Sequence, residues 1–385
     1  MQVGETIYFD YQASTPVDDR VVEAMSNATM TLFANPHSAD HVLGWQAAAA
    51  IQNAAQQVGN LFGLQGDDVV FTSGASEANA MVFRAAQGIA ECSNRKEVLI
   101  GAGDHWSALN EAENVGMVVR HIALDSRGAP DANHVKTLIN EQTALVSIVG
   151  VNNENGAIAD LDAIAEVCSQ HGVLFHADLS QAPLALDVDL LEHDIGLATI
   201  SAHKLYGPKG VGALLTSPGI SKVLKPVILG AGQQAGLRGG TQPTELIVGF
   251  GEACRILSET GASERMRVAS LRDSFVRRLE ERRLAVLVGD LNDRHPGNAL
   301  MRFPGLEASD LLARFQPKIA ASSQSACSSG SVEPSHVLRA MGYSDDFANE
   351  CIRFSFGRFS TEEQVKVAVA VILDTIAADF EHDQC

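Results

Sequence analysis

The sequence predicts an α/β fold in which a mostly parallel sheet carries helices on both faces, joined to a smaller α+β domain. Between residues 60 and 240, seven short β-branched runs alternate with amphipathic stretches, a pattern typical of parallel sheets. After about residue 245 the pattern changes to long charged helices around a few short strands. The 385 residues also exceed the roughly 250–300 that a single hydrophobic core accommodates.

The elements follow from these patterns. We expect a large domain over residues 16–250 and a small domain from residues 1–15 and 251–385. Asp160 can cap a helix that Gly172 ends, with Leu161, Ile164 and Cys168 on its apolar face. Long helices are expected over 250–283 and 361–380. The seven predicted strands are 69–72, 97–101, 118–122, 145–150, 173–177, 197–201 and 211–215.

Charge and composition exclude several classes of protein. The 47 acidic and 28 basic residues give a net charge of −19, which repels nucleic acid, so we expect no direct nucleic-acid binding. The chain begins without a signal peptide and has no apolar run of about 18 residues. We therefore expect a cytoplasmic protein without membrane contact. The six cysteines form no CxxC pair or zinc-spaced cluster, so free thiols and no metal are expected.

Polar residues follow five of the predicted strands. Ligands of open α/β sheets bind beyond the carboxyl ends of the strands. In TSGASEAN (72–79), Gly74 and Ala75 leave backbone N–H groups uncovered at a helix start, where a phosphate is favoured. A simply capped helix would carry the same residues. Asp178 ends an apolar strand, where it can pair with a protonated pyridine nitrogen, although a helix cap or a wet groove would also explain it.

Lys204 follows another strand end by three residues, in SAHKLYGPKGVG (201–212). A lysine held near other groups becomes competent to form a Schiff base. A phosphate site, a strand-end aspartate and a strand-end lysine are together the parts that hold pyridoxal 5'-phosphate. The sequence therefore predicts that cofactor at one edge of the sheet.

The stretch SAHKLYGPKGVG resembles the lysine motif of the NifS- and IscS-like cysteine desulfurases, which belong to the class V aminotransferase superfamily of fold-type-I pyridoxal-phosphate enzymes. The resemblance covers nearly the whole chain. Further matching stretches, in the order of that family, are YFDYQASTP (8–16), ANPHS (34–38), FTSGASEAN (71–79), VNNENG (151–156), FHADLSQ (175–181), LRGGT (237–241), SSQSACSSG (322–330), EPSHVLRAMG (333–342) and IRFSFGRF (352–359).

The resemblance implies roles for individual residues. Lys204 would carry the cofactor and move protons at the substrate Cα. Asp178 would pair with the ring nitrogen, Gln181 would approach the phenolic oxygen and Asn153 would lie near the ring. His105 would stack on the ring and act as acid or base, although Trp106 beside it is the other candidate for stacking. The phosphate would be held by Ala75, Ser76, Ser201, His203 and Thr241, the last from the other subunit of a homodimer.

Substrate binding is assigned to Arg353, with Asn35 and Asn153 as further contacts. The resemblance implies that Arg353 binds the substrate carboxylate. Strand alternation in CIRFSFGRF agrees, because Ile352, Phe354 and Phe356 share one face and leave Arg353 on the other. A guanidinium offers two parallel donors to a carboxylate.

Cys327 lies among small or flexible residues, in SSQSACSSGS, where a buried structural cysteine would have apolar neighbours. The resemblance makes it the nucleophile that takes sulfur from L-cysteine as a persulfide, leaves L-alanine and passes the sulfur to an acceptor protein. The alternatives are a selenocysteine lyase or another β-lyase of the same fold, then an aminotransferase, which needs no such thiol. A sulfur-relay scaffold without cofactor chemistry is the alternative from another class.

Three departures from the family pattern concern Ala202, Gln324 and residues 233–235. Ala202 and Gln324 stand where glycine is usual, and 233–235 lacks the usual glutamate and arginine. The departure at 233–235 leaves the cross-subunit contacts open.

The chain also ends soon after Phe380, without the tail that docks cluster scaffold proteins in related enzymes. Either a scaffold protein docks elsewhere on the chain or the sulfur goes to a different acceptor, and we expect the second, for instance in a pathway such as nucleic-acid thiolation.

Overall fold

The computed structural model of the chain describes residues 1–323 and 333–382. Helices and strands are numbered in chain order. The strands are β1 (Gln2–Val3), β2 (Thr6–Tyr8), β3 (Val69–Thr72), β4 (Glu97–Gly101), β5 (Val118–Ile122), β6 (Thr143–Val149), β7 (Leu174–Asp178), β8 (Leu197–Ser201), β9 (Gly212–Thr216), β10 (Val286–Leu287), β11 (Asn298–Arg302), β12 (Ile319–Ala320), β13 (Ser322–Ser323) and β14 (Cys351–Ser355). The helices are α1 (Asp19–Thr31), α2 (Val42–Asn60), α3 (Ala75–Cys92), α4 (Trp106–Asn114), α5 (Ala132–Leu138), α6 (Leu161–His171), α7 (Thr244–Glu280), α8 (Ala308–Phe315), α9 (His336–Ala340), α10 (Asp345–Asn349) and α11 (Glu362–His382).

The central sheet contains seven strands in the order β3-β9-β8-β7-β6-β4-β5. β9 runs antiparallel to both of its neighbours, and the other strands share one direction. The predicted mostly parallel seven-stranded sheet is therefore confirmed. Because parallel strands end at the same edge, the polar residues after β3, β4, β6, β7 and β8 are brought together.

Four of the seven predicted strands have the predicted limits, and the other three are shifted by one or two residues. Pairing explains the shifts. Thr143 joins β6 because it lies opposite Glu97 of β4, and Asp178 joins β7 because it lies between Val149 and Thr199. Hydrophobic runs predict the centre of a strand, whereas its neighbours determine where it ends.

Apolar side chains cover both faces of this sheet, as expected when helices lie on each side. In β4, Leu99 packs into the core on the side of α2, α6 and α7, and Val98 and Ile100 pack into the core on the side of α3 and α4. The helix after Asp160 is confirmed. The Asp160 side chain accepts a hydrogen bond from Ala163 N at 3.0 Å, and Gly172 ends the helix with a φ of 58°.

A smaller four-stranded sheet, in the order β10-β11-β14-β13, packs against the second half of α7 and against α11. The N-terminal strand β2 pairs in parallel with β12, and Ile7 and Phe9 lie in the same core as Phe275 and Phe354. The first residues of the chain thus pack with its last third. The domain limits given above stay a prediction.

Helix α7 begins at Thr244, before the predicted start at 250, and continues without a break across the predicted boundary after residue 250. Its early turns contain glycines that weakened the helical pattern in the sequence. A Cβ on Gly249 would come within 2.5 Å of Met25, and one on Gly251 within 2.7 Å of the Ala54 Cα. These glycines therefore let α1 and α2 pack closely against α7.

Candidate active site

A cavity of about 680 Å³ lies at the edge where the parallel strands end. It has two sides. One side, which we call the sheet wall, consists of residues that end or follow strands of the seven-stranded sheet, and the other, the junction wall, lies where the N-terminal segment meets the small sheet. The sheet wall includes Ser73, Gly74, Ala75, Ser76, His105, Asn153, Asp178, Ser180, Gln181, Ser201, His203 and Lys204; the junction wall comprises Asp10, Gln12, Ala13, Ser14, Ser322 and Arg353.

The start of α3 forms a shallow cup in the sheet wall. Gly74 precedes the helix with a φ of 154°, which favours glycine, and a Cβ placed there would meet nothing within 4 Å. Gly212 of β9 lies directly against Gly74, because a Cβ on Gly212 would come within 2.8 Å of the Gly74 Cα. Ser73 N donates to the Glu77 side chain at 2.6 Å and Gly74 N to Thr72 Oγ1 at 3.4 Å. Ala75 and Ser76, which line the cavity, are therefore the candidate backbone donors for an anion at this helix start.

Asp178 is the last residue of β7 and is almost fully buried. Its Oδ1 accepts a hydrogen bond from Ser180 N at 3.0 Å, and its Oδ2 accepts one from the Asn79 side chain at 3.2 Å. Both oxygens are thus held in place at the cavity wall. A carboxylate fixed in this way can face a positively charged ring nitrogen.

Lys204 ends a short 3-10 turn directly after β8. Its Nζ donates to the carbonyl oxygens of Gln12 and Ala13, at 2.5 and 2.9 Å. Burial, reinforced by Lys204 and Lys209, lowers the pKa of the neighbouring His203 to about 4. His203 is therefore neutral at pH 7 and can accept or donate a hydrogen bond without adding charge.

His105 caps the N-terminus of α4, where its Nδ1 accepts a hydrogen bond from Ser107 N at 3.1 Å. His105 is exposed where it lines the cavity, and protein atoms around it partly desolvate the ring. This desolvation lowers the pKa of His105, an effect that Lys204 and His336 increase and Asp178 opposes. Trp106, the other candidate for stacking, packs instead against the His336 ring, with 4.6 Å between centroids.

Arg353 reaches the cavity from β14, while Ile352 and Phe354 enter the core behind it. The predicted alternation is confirmed. Arg353 is 3% exposed, and its Nη1 donates to the Asn153 carbonyl oxygen at 2.7 Å. Its Nη2 pairs with Asp10 Oδ1 at 2.8 Å. Both terminal nitrogens of the guanidinium are thus hydrogen-bonded, and the group faces the cavity beside Asp10.

The remaining predicted site residues are not part of this lining. Asn35 is exposed, and its Oδ1 accepts from His37 N at 2.9 Å. Thr241 is exposed as well. Cys327 and Gln324 lie outside the described residues, so the predicted nucleophile has no structural account. In the described part of the chain, Cys92, Cys168, Cys254 and Cys351 are free thiols, as expected.

The sequence did not single out several residues that the structure brings to the site. Gln12 accepts from Lys204 and from Gln181 through its carbonyl oxygen, the second at 2.9 Å. Asp10 pairs with Arg353, and Asn79 binds Asp178. The signal for Asn79 was available, since it is a polar residue on the otherwise apolar buried face of α3, between Ala78 and Met81. For Gln12 and Asp10 only their position in YFDYQASTP pointed to the site.

The residues of the cavity fit pyridoxal phosphate. The cup at the start of α3 suits a phosphate, Asp178 suits the ring nitrogen, and Lys204 lies between them and the junction wall. Ser201, the last residue of β8, and His203, in the turn that follows, line the same cavity as the cup. Among residues 1–323 and 333–382 no cluster of metal-ligating side chains occurs. Within the same residues no helix has the length and apolar character needed to cross a bilayer.

Comparison with known proteins agrees with this geometry. Residues 7–367 match the family described as Aminotransferase class-V. The chain is 40% identical over 376 residues to the cysteine desulfurase IscS of Rickettsia massiliae, with 96% of this chain and 91% of that protein aligned. It is also similar to a solved NifS-like protein, at a TM-score of 0.90 and 29% identity over 97% and 99% of the two chains. A structure of SspA in complex with cysteine matches at a TM-score of 0.81 and 32% identity over 92% and 100% of the two chains.

The matches span nearly the whole chain, and the similar structures confirm the predicted fold-type-I architecture. The resemblance predicted from the motifs is likewise confirmed. This chain belongs to the aminotransferase class-V family of pyridoxal-phosphate-dependent enzymes, and its relatives include cysteine desulfurases.

Proposed function

We propose that the protein is a cysteine desulfurase that converts L-cysteine to L-alanine and carries the sulfur on Cys327 as a persulfide. The observation that carries the proposal is that Lys204, Asp178 and Arg353 line one cavity. Pyridoxal phosphate that acts on an amino acid needs three such groups: a lysine, a carboxylate facing the ring and an arginine that binds the substrate carboxylate. The names of its relatives give the class of reaction.

The cofactor would be held by the sheet wall. Its phosphate would lie in the cup, with Ala75, Ser76, Ser201 and His203 as donors, and Thr241 of a second subunit would complete the cup. Asp178 would bind the ring nitrogen, Gln181 the phenolic oxygen and Asn153 the ring edge, with His105 over the ring face. Bound in this way, pyridoxal phosphate supplies an electron sink for negative charge at the substrate Cα.

Two residues would handle the substrate. Arg353 binds its carboxylate, because the guanidinium faces the cavity and is held in place by Asn153 and Asp10, and Asn35 is a further candidate contact. Lys204 removes the Cα proton and returns it, since its primary amine lines the same cavity as Arg353 and is released from the cofactor once the substrate takes its place. The carbonyl oxygens of Gln12 and Ala13 hold the amine when it is not bonded to the cofactor.

Cys327 completes the reaction. Its thiolate attacks the sulfur of the bound cysteine, so that a sulfur–sulfur bond forms as the carbon–sulfur bond breaks. The electron pair of the broken bond stays on Cβ, which takes up a proton to give alanine. The persulfide on Cys327 then passes its outer sulfur to a thiolate of the acceptor protein.

The test measures alanine and sulfur together. Purified protein should be yellow and should form alanine from L-cysteine, with labelled sulfur trapped on the peptide that contains Cys327. Cys327→Ser should still bind cofactor and cysteine but should form no persulfide. Sulfide released by this variant at the wild-type rate would mean simple β-elimination. Faster turnover of L-selenocysteine than of L-cysteine would favour the selenocysteine lyase.

A homodimer is part of the proposal. Large apolar side chains are exposed just after α1, on α2 and on the loop before Thr241, including Phe33 at 72%, Trp45 at 56% and Leu229 at 82%. Exposed apolar groups of this size are expected at an interface between subunits. Thr241→Ala should weaken cofactor retention, and a cofactor-loaded monomer at micromolar concentration would contradict the dimer.

The sulfur acceptor is proposed to be a basic protein. The net charge of −19 would speed its approach, and the rate of transfer should fall as salt is added. Transfer to an acidic scaffold protein that does not depend on salt would argue against this. The cytoplasmic location predicted from the sequence stays a prediction.

A further inference from the structure

Asn79 is a fully buried amide next to the cavity, and the scheme above gives it no role. It lies in the second turn of α3, which packs on β6, β7 and β8. Its Nδ2 donates to Asp178 Oδ2 at 3.2 Å and to Ser107 Oγ at 3.0 Å. One side chain thus touches both the strand end that carries the acid and the helix start that carries His105.

The directions of these hydrogen bonds are fixed by chemistry. A carboxylate can only accept, so the amide atom that faces Asp178 must be the NH2 group. Each of the two amide hydrogens of Asn79 then has its own acceptor, one on Asp178 and one on Ser107. The orientation of the Asn79 amide is therefore set by its hydrogen-bond partners, although its nitrogen and oxygen are similar in shape.

Ser107 extends the chain of hydrogen bonds to His105. Ser107 Oγ lies 2.9 Å from His105 Nδ1, and Ser107 N donates to the same nitrogen at 3.1 Å. A backbone N–H can only donate, so Nδ1 carries a lone pair and the ring proton of the neutral histidine is on Nε2. Since Ser107 Oγ already accepts from Asn79, its own proton is available for Nδ1.

We propose that Asn79 is a positioning residue that holds Asp178 and His105, through Ser107, in one hydrogen-bonded chain on either side of the cofactor ring. The acid is kept at the ring nitrogen, and the histidine is kept as the neutral Nε2–H form, which stacks and donates but does not take up the substrate proton. Proton transfer at Cα is then left to Lys204. This inference rests on the proposed cofactor site.

Desolvation lowers the pKa of His105 and so supports the neutral form. The charged groups that act on the ring are Asp178, which opposes this effect, and Lys204 and His336, which add to it. The N-terminus of α4, which the ring caps, also disfavours a positive charge at this place.

The test compares Asn79→Ala with Met81→Ala in the cofactor-loaded enzyme. Met81 is equally buried on the same helix but packs into the apolar core, so its loss lowers stability without touching Asp178. In Asn79→Ala we expect the pH midpoint of the cofactor absorbance to rise by about one unit. A weaker positive charge on the ring nitrogen would raise the pKa of the cofactor group whose titration changes the absorbance. That group would therefore lose its proton at a higher pH.

We also expect kcat to fall about tenfold in Asn79→Ala while KM for L-cysteine changes little, because Arg353 is untouched. An unchanged absorbance midpoint in a fully loaded Asn79→Ala enzyme would overturn the proposal, as would an equal shift in Met81→Ala. If Asn79→Ala does not fold, Ser107→Ala decides the matter. It keeps the backbone cap but removes the acceptor that fixes the second amide hydrogen of Asn79, so Asn79 holds Asp178 less firmly. A smaller shift in the same direction is expected, whereas no shift would overturn the proposal.

The absorbance titration needs no turnover. If the wild-type enzyme binds the cofactor but forms no alanine, the desulfurase proposal fails and the midpoint shift still tests Asn79. If the midpoint stays constant in an enzyme that forms alanine, only the inference about Asn79 fails.

Discussion

The sheet wall and the junction wall face the same cavity but are held by different kinds of interaction. In the sheet wall, Asp178 is bound by the backbone of Ser180, two residues along. In the junction wall, Arg353 is bound by Asn153 and by Asp10, which are 200 and 343 residues away in sequence. The sheet wall thus combines local contacts of this kind with longer-range ones such as Asn79 to Asp178 and Lys204 to Gln12, whereas the contacts that hold Arg353 in the junction wall are all long-range.

The two walls also differ in the roles proposed for their residues. The groups assigned to the cofactor lie on the wall that a rigid sheet positions, and the group assigned to the substrate carboxylate lies on the wall that depends on how the two parts pack. Changes in the sheet wall should therefore affect the cofactor and the chemical step. Changes in the junction wall should affect substrate affinity and stability.

The largest effect is expected for Lys204→Ala, which removes the amine of the sheet wall. Alanine formation should fall below detection, because the amine proposed to carry the cofactor and move the Cα proton is removed. Borohydride treatment of the wild-type enzyme should leave the pyridoxyl group on the peptide containing Lys204. Lys209→Ala, a change to the next lysine along the cavity, should keep that labelling, and finding the label on Lys209 in the wild type would refute the assignment.

In the junction wall, Arg353→Lys should raise KM for L-cysteine about 30-fold with a smaller change in kcat, because a point charge replaces two parallel donors. Steady-state kinetics with cofactor absorbance as a check on loading would measure this. Arg302→Lys is the matched control, since Arg302 lies on the neighbouring strand β11 and pairs with Glu350 away from the cavity. A normal KM in Arg353→Lys would remove Arg353 from the substrate site.

Asp10→Asn tests the ion pair between Asp10 in the N-terminal segment and Arg353 in β14. It leaves the buried Arg353 cation without its anion, at an expected cost of about 2 kcal/mol in unfolding free energy. Added L-alanine brings a carboxylate that replaces the missing charge, so the rise in Tm on adding it should be larger in the variant than in the wild type. Equal ligand-induced shifts would mean that the substrate carboxylate does not bind beside Asp10.

The smallest effect concerns pH and the sheet wall. His176 in β7 lies between Ser147 Oγ, at 2.8 Å, and Thr199 Oγ1, at 3.0 Å. Burial lowers the pKa of His176 below its usual 6.5, with Asp178 opposing. The unfolded chain therefore binds a proton that the folded chain does not, so this contribution to stability is complete above pH 6.5 and is lost as the pH falls.

Between pH 6.5 and 5.5 the loss should be about 1 kcal/mol in unfolding free energy from His176. Denaturant melts at several pH values would measure it, and His176→Gln should flatten the slope. Thr199→Val is the control, because it removes a partner of the ring but no titrating group. It should lower stability equally at every pH, and an unchanged slope in His176→Gln would contradict the assignment.

The sequence predicted the sheet wall better than the junction wall for a physical reason. Residues such as Asp178 and Lys204 follow β-branched runs within three residues, so a local pattern locates them. The contact between Lys204 and Gln12 spans 192 residues, and no local pattern predicts that pairing. Arg353 was found because strand alternation gives the face, whereas its partner Asp10 needed the folded chain.

Two of the departures from the family pattern, Ala202 and residues 233–235, are explained by three-dimensional packing and not by the local sequence. Ala202 is buried and is not among the described residues with positive φ, so its backbone does not require glycine. Gln234 has a φ of 49°, and its side chain pairs with Phe71 N and O at 2.7 and 2.9 Å. The unusual segment 233–235 thus covers the free edge of β3, which the sequence could not reveal.

The position of β3 has a consequence for the order in which the protein can be made. Val69–Thr72 pairs with Gly212–Thr216 and with the side chain of Gln234, both of which leave the ribosome much later. At about 5–20 residues per second, translation takes on the order of 10 s to reach them. The nascent chain therefore has no completed site for a reactive aldehyde until the large sheet closes, and it can bind the carboxylate of an amino acid only after Arg353, more than 100 residues further along, has also emerged.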